Sequence, residues 1–174
     1  MPRPTSIDPA RGVLLVEWPF FGELSRGLAL KVARSYQPDM VVGVATAGVV
    51  PGAVVAAMLG CDFHSILVSR RYHASTVRDT PAVFGEAPTQ VLNRRVLLVD
   101  ETCDGGDTLR LAISALQHAG AIEIRTAVCF RTGSYEPDFH AIATESAVVL
   151  PWDREIIHDG ALVPNPAYRE LLGG

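Results

Sequence analysis

No run of about 18 or more apolar residues occurs in the chain, so the sequence offers no helical membrane span. The opening MPRPTSIDPARG has no apolar h-region and is not expected to be a secretory signal; residues 1–11 read as a loose, proline-rich lead. Cysteine is sparse. Cys61, Cys103 and Cys129 form an odd set without CxxC spacing, which argues against a disulfide framework or a zinc knuckle. The five histidines are scattered, so no metal-binding triad is visible. Lys31 is the only lysine, the arginines form no basic run, and the net charge is −4, so nucleic acid is not an expected partner. Neither GxGxxG nor GK[ST] occurs, which removes the dinucleotide and Walker phosphate loops. The expectation left standing is a cytoplasmic globular protein without a membrane or nucleic-acid partner.

At 174 residues the chain is expected to be a single domain with a full core. GVLLVEW (Gly12 to Trp18) reads as a strand, and Pro19 suits a helix start. Phe21, Leu24, Leu28 and Val32 share one face of a helix predicted to reach about Tyr36. MVVGVA (Met40 to Ala45) is an unbroken apolar run, as in a strand buried on both faces. TAGVVPG reads as a turn, AVVAAML as a helix closed by Gly60, and FHSILVS (Phe63 to Ser69) as a strand. Periodicity fails from Arg70 to Asn93, where Pro81, Gly85 and Pro88 interrupt, and residues 70–93 are predicted to be a long mobile loop. A strand follows over Arg95 to Val99, then a helix over about Asp107 to Ala119 stopped by Gly120, and a strand over Ile122 to Phe130. One or two short strands end near Pro151, and the tail LVPNPAYRELLGG is expected to close with a short helix. Strands alternating with helices predict an α/β domain with a mostly parallel sheet.

The segment VLLVDETCDGGDTL carries the chemistry. An apolar strand runs into Asp100 and Glu101; Asp104, Gly105 and Gly106 follow, and Asp107 and Thr108 open a helix. In parallel α/β sheets ligands bind beyond the carboxyl ends of the strands. Glycines ahead of a helix N-terminus make a phosphate cradle. Carboxylates do not bind phosphate, but they accept hydrogen bonds from sugar hydroxyls and hold Mg²⁺. A ligand that needs both is a ribose phosphate. Cys103 lies in the same stretch, yet its acidic neighbours oppose a thiolate nucleophile.

VLLVDETCDGGDT resembles the 5-phosphoribosyl 1-pyrophosphate (PRPP) signature of the type I phosphoribosyltransferases. VVGVATAGVVPGAVVAAMLG is similar to the pyrophosphate loop and following helix of that family. VLPWDRE and VEWPFF resemble segments of bacterial xanthine–guanine phosphoribosyltransferase. The resemblance covers roughly residues 13 to 155 and implies a parallel sheet flanked by helices, with a mobile loop over 70–93. It also implies a small hood made of residues 139–174 with the N-terminal strand. The implied reaction transfers the phosphoribosyl group of PRPP to a 6-oxopurine (xanthine, guanine or hypoxanthine) with release of pyrophosphate, in purine salvage. Asp100 and Glu101 would hold the ribose hydroxyls and Mg²⁺. Asp104, Gly105, Gly106, Asp107 and Thr108 would wrap the 5′-phosphate, with Asp104 as general base. Thr46, Ala47 and Gly48 would meet pyrophosphate through their backbone, joined by Arg70 and Arg71, whose forks suit that anion. Arg131 would meet the 6-oxo group, and Val148, Trp152 and Asp153 would line the base. A homodimer or homotetramer is implied.

Three features depart from the family pattern. Gly105 stands where Thr or Ser is common, so a hydroxyl donor is missing, and Asp107 adds a negative charge. Thr46 and Ala47 replace a basic residue of the xanthine–guanine enzyme, and ATAG resembles orotate phosphoribosyltransferases. Ala147 or Val148 replaces a base-stacking aromatic. An orotate or adenine phosphoribosyltransferase, or a non-catalytic sensor of PRPP or nucleotides, therefore stands as the alternative.

Overall fold

The computed structural model describes residues 12–72 and 76–169, except for the side chains of residues 70–80. The elements run β1 (Val13–Leu15), α1 (Trp18–Ala33), β2 (Met40–Ala45), α2 (Val49–Leu59), β3 (Asp62–Tyr72), β4 (Thr76–Phe84), β5 (Arg95–Cys103), α3 (Asp107–His118), β6 (Glu123–Arg131), β7 (Phe139–Ala143), β8 (Ala147–Val149), β9 (Glu155–His158) and β10 (Ala161–Pro164). Six strands form one sheet in the order β4-β3-β2-β5-β6-β7. Neighbours are parallel except β4, which runs antiparallel to β3.

The unbroken apolar strands are buried on both faces, and their side chains alternate between two cores. Val41, Leu97, Val99, Ala127 and Cys129 face a cluster that includes Phe21, Leu28 and Val32 of α1 and Val55 of α2. Val42, Val44, Val96, Leu98 and Val128 face the opposite cluster, with Leu109, Ala112 and Leu116 of α3. The α/β, mostly parallel architecture is thus as expected. It aligns the carboxyl ends of β2, β5 and β6, with the loops before α2 and α3 beside them.

Residues 70–93 are not one long loop. β3 extends to Tyr72, β4 pairs back along it, and a short 3₁₀ turn covers Thr89–Val91. Pro81 concealed the strand, but β4 is a sheet edge, where a missing N–H is tolerated. Pro81 also falls where the β3–β4 register shifts, between the pairs Ser69↔Ala82 and Arg71↔Val77. α2 begins at Val49 rather than Ala53, because Pro51 sits in the first turn, where its N–H is not needed. β5 carries on through the acids to Cys103 instead of ending at Val99; Thr102 and Cys103 still pair with Phe130 and Arg131 of β6.

The hood boundary also moves. Phe139–Ala143 is an edge strand of the main sheet. The small units are the parallel pair β1–β8 and the hairpin β9–β10. The described part of the tail holds β10 and a 3₁₀ turn over Pro166–Tyr168; residues 170–174, where the closing helix is also expected, lie outside the described residues. Among the described residues no helix is long and apolar enough to cross a membrane.

Gly27 is exposed on α1, and a Cβ there would meet nothing within 4 Å. Gly27→Ala is expected to stabilise the protein by about 0.5–1 kcal/mol, because glycine loses the most backbone freedom in a helix. Thermal denaturation checks this; a lowered Tm would show a contact on that face that the fold does not contain.

Candidate active site

Burial at the end of β5 is high for an acidic sequence: Asp100 is 7% and Glu101 5% exposed. The Glu101 N–H donates to Asp100 Oδ1 at 2.9 Å. Burial first, then the charge and hydrogen bonding of Glu101, push the Asp100 carboxyl well above the ordinary carboxylate range. Two adjacent buried acids facing one another form a site that gains from a cation.

The sign of the pH effect follows from that direction. Between the ordinary aspartate pKa and the raised one, the folded state holds a proton that the unfolded state has released. Stability therefore falls as pH rises through that window, and the loss persists above it. Asp100→Asn keeps the acceptor for the Glu101 N–H and removes the charge. It is expected to raise Tm at neutral pH by about 2–4 °C, for about 1 kcal/mol, with a much smaller gain near pH 4. Melting curves across pH test this, and a gain independent of pH would count against a titrating Asp100.

The loop before α2 lies directly against this pair. A Cβ on Gly48 would lie 2.7 Å from Asp100 Oδ1, 2.9 Å from Asp100 Cα and 2.6 Å from the Val44 carbonyl oxygen. Only glycine lets the two loops approach so closely. The Ala45–Thr46 peptide is cis. Thr46 is exposed, and the carbonyls of Thr46, Ala47 and Gly48 accept from Val49, Val50 and Gly52 N–H groups. Among the described residues no acceptor takes the Ala47 or Gly48 N–H. The backbones of Arg70 and Arg71 belong to β3; their side chains, and that of Arg78, lie outside the described residues.

On the other side, Gly106 caps α3 with φ +81°. A Cβ there would fall within the Tyr135 ring. α3 begins at Asp107 with Thr108 in its first turn, so the unpaired N–H groups of a helix start border the loop. Arg110 donates to the Gly105 carbonyl oxygen at 2.8 Å and pairs with Asp107 at 3.1 Å. The Asp104 carboxylate lies over Gly133, whose Cβ position it would occupy. The Thr132 N–H donates to the Cys103 carbonyl (2.8 Å) and the Tyr135 N–H to the Asp104 carbonyl (3.1 Å), which prolongs the β5–β6 pairing into both loops.

Arg131 thereby sits across from Cys103, beside the acidic loop, and its guanidinium is paired with Glu136. Cys103 is 4% exposed; burial, then Asp100 and Asp104, push its thiol up to about 12, which opposes a thiolate role. Val148 sits in β8 opposite Leu14. Trp152 packs on Trp18 and Phe21 at centroid distances of 5.5 and 5.0 Å. Asp153 is buried (4% exposed), and its carbonyl accepts from Asn165 Nδ2 at 2.7 Å. Val148 and Trp152 pack against the core that α1 shares with the sheet, while Asp100, Glu101, Asp104 to Thr108, Gly48 and Arg131 lie at the carboxyl ends of β2, β5 and β6.

Sequence reading missed Arg110, Gly133, Tyr135 and Glu136. The three-residue spacing of Asp107 and Arg110 is a readable helix pair. Nothing local marks Tyr135, which reaches Gly106 across the sheet.

Among the described residues no group of three or more His, Cys, Asp or Glu side chains surrounds a metal position. The pair Asp100 and Glu101 fits instead a hard cation that takes its remaining ligands from a bound phosphate compound and water.

Comparison with known proteins identifies relatives of the chain and of its fold. An adenine phosphoribosyltransferase from Acidiphilium cryptum is 27% identical over 106 residues, 57% of this chain and 62% of that protein. The chain thus spans less than two thirds of that relative. The crystal structure of a purine phosphoribosyltransferase from Pyrococcus horikoshii superposes with a TM-score of 0.71 and 27% identity, covering 84% of this chain and 98% of that one. The xanthine–guanine–hypoxanthine phosphoribosyltransferase of Helicobacter pylori shares the fold, with a TM-score of 0.69 and 15% identity over 93% of this chain and 99% of that one. The model of the phosphoribosyl transferase domain matches residues 15–158, which take in the acidic strand end and both flanking loops, and the chain belongs to that family.

Proposed function

We infer that the protein is a purine phosphoribosyltransferase, which joins a ring nitrogen of a 6-oxopurine to C1 of the PRPP ribose and releases pyrophosphate. One observation carries this reading: two buried adjacent acids stand between a glycine-capped helix start and a second loop whose Gly48 touches Asp100. That arrangement accommodates a ribose with a phosphate at one end and a pyrophosphate at the other.

Asp100 and Glu101 accept hydrogen bonds from the ribose 2′- and 3′-hydroxyls and would hold Mg²⁺. When bound, Mg²⁺ supplies positive charge for the departing pyrophosphate. Gly105, Gly106 and the first turn of α3 present N–H groups to the 5′-phosphate. Ala47 and Gly48 present theirs to the pyrophosphate. As the C1–O bond breaks and the C1–N bond forms, the proton on the ring nitrogen passes to Asp104. Charge develops on the ribose as in glycoside chemistry, beside the two acids.

The 6-oxopurine preference rests on Arg131, a donor suited to a 6-oxo acceptor. Two observations favour adenine as the second reading. The Acidiphilium relative is named for it, and Arg131 is already paired with Glu136, a carboxylate that accepts from an exocyclic amine.

Pyrophosphate release from PRPP with Mg²⁺ is measured with xanthine, guanine, hypoxanthine, adenine, orotate and uracil in turn. Release with an oxopurine alone supports the first reading, and release with adenine alone the second. Nucleotide binding with no turnover on any of the six overturns the enzyme and leaves a sensor.

A further inference from the structure

Arg110 lies one turn into α3, outside the acidic signature. Its guanidinium bonds the Gly105 carbonyl oxygen (2.8 Å) and the Asp107 carboxylate (3.1 Å), and its centre is 5.0 Å from the centroid of the Tyr135 ring. That ring lies against the bare Cα of Gly106. The Tyr135 N–H also holds the Asp104 carbonyl at 3.1 Å. Arg110 and Tyr135 therefore hold four consecutive residues, Asp104 to Asp107, from outside: Asp104 through the Tyr135 backbone and the other three through side chains. The two departures from the family signature meet at the same place: Gly105 brings no hydroxyl, and Asp107 brings a carboxylate where a phosphate dianion is to be bound.

Resting on the transferase reading, we propose that Arg110, seated on Tyr135, is a positioning residue of the 5′-phosphate site. It neutralises Asp107 and fixes the Gly105–Gly106 backbone with its N–H groups toward the anion. The pair is exposed on both sides, 58% for Arg110 and 55% for Asp107. Such a pair contributes little to folding. An incoming dianion, within a screening length of Asp107, responds to the loss of the countercharge more than the fold does. The stacked position over Tyr135 costs Arg110 little when it stays beside the loop, since guanidinium groups pack well on aromatic faces.

Calorimetric titration with ribose 5-phosphate tests this on the intact protein without needing turnover. At about 0.01 M ionic strength, where the screening length is about 30 Å, Arg110→Ala is expected to weaken binding about tenfold. At about 1 M, with a screening length of about 3 Å, most of that loss should vanish. Asp107→Asn added to Arg110→Ala should restore most of the affinity, because it removes the negative charge that Arg110 faces beside the anion. Arg110→Lys, which keeps a point charge without the fork, should fall between. Tyr135→Ala should weaken binding as Arg110→Ala does. An Arg110→Ala loss that neither salt nor Asp107→Asn alters would reveal a merely structural residue and overturn the inference, as would wild-type affinity in Arg110→Ala. A wild-type protein that binds no ribose 5-phosphate at all removes the transferase reading itself, and the inference with it.

Discussion

Asp104→Asn is expected to cut turnover about a hundredfold or more while leaving PRPP affinity nearly unchanged. The side chain sits where the loop after β5 meets the loop after β6. Its carboxylate rests over Gly133, two residues beyond Arg131, and its carbonyl is tied to Tyr135. Asn is isosteric and keeps that packing, so the loop should hold its shape and still wrap the 5′-phosphate. What is lost is the capacity to take the proton from the attacking ring nitrogen. Steady-state kinetics separate the two: kcat falls while KM for PRPP stays. Unchanged kcat would remove Asp104 as the base. A rise in KM with kcat intact would make it a ligand of the phosphate loop instead.

The second large effect is expected from Gly48→Ala. The added methyl would meet the Val44 carbonyl oxygen at 2.6 Å and Asp100 Cα at 2.9 Å, both backbone atoms of buried strands. Neither can yield as a flexible side chain would, so the loop before α2 must move away from the acidic pair. Overpacking of this kind costs about 1–3 kcal/mol or more. That corresponds to a drop in Tm of about 2–4 °C for each kcal/mol in a domain of this size. Pyrophosphate affinity should fall with it, because the N–H groups of Ala47 and Gly48 leave their places beside Asp100. Gly105→Ala supplies the contrast: a Cβ there meets nothing within 4 Å, so stability should change by less than about 0.5 kcal/mol. Equal melting temperatures for wild type and Gly48→Ala would show that the two loops are not in contact.

Both variants probe a junction that the sequence foreshadowed on one side only. The acids, the glycines and the helix start are contiguous, and each has a local physical meaning: a buried strand end, a turn, an N-terminus. Such features can be read without knowing the fold. Their relation to Gly48 cannot, because 52 positions separate Gly48 from Asp100 and only the parallel pairing of β2 with β5 brings them together. The same holds for Tyr135 and Gly133, which reach Gly106 and Asp104 through the β5–β6 pairing. The sequence alone places Trp152 only beside the base, and its contacts with Trp18 and Phe21 come from the β1–β8 pairing, equally remote in sequence.

The stretch from Arg70 to Asn93 shows the opposite error. Pro81 and the two other breaks suggested a loop, and a strand lies there because the sheet has an edge to give it. Proline forbids a donor at one position; whether a donor is needed depends on the neighbour, which is a property of the sheet.

By itself the sequence determined the α/β class, the buried parallel strands and the family. Those follow from periodicity and from short motifs whose atoms are held by local geometry. Only the tertiary structure decided that Gly48 touches Asp100, that Tyr135 packs on Gly106 and that Arg110 lies over the Tyr135 ring. Each of these joins residues from different elements. Close approach across a sheet is set by strand order and register, which a single sequence encodes only through the packing of the whole chain.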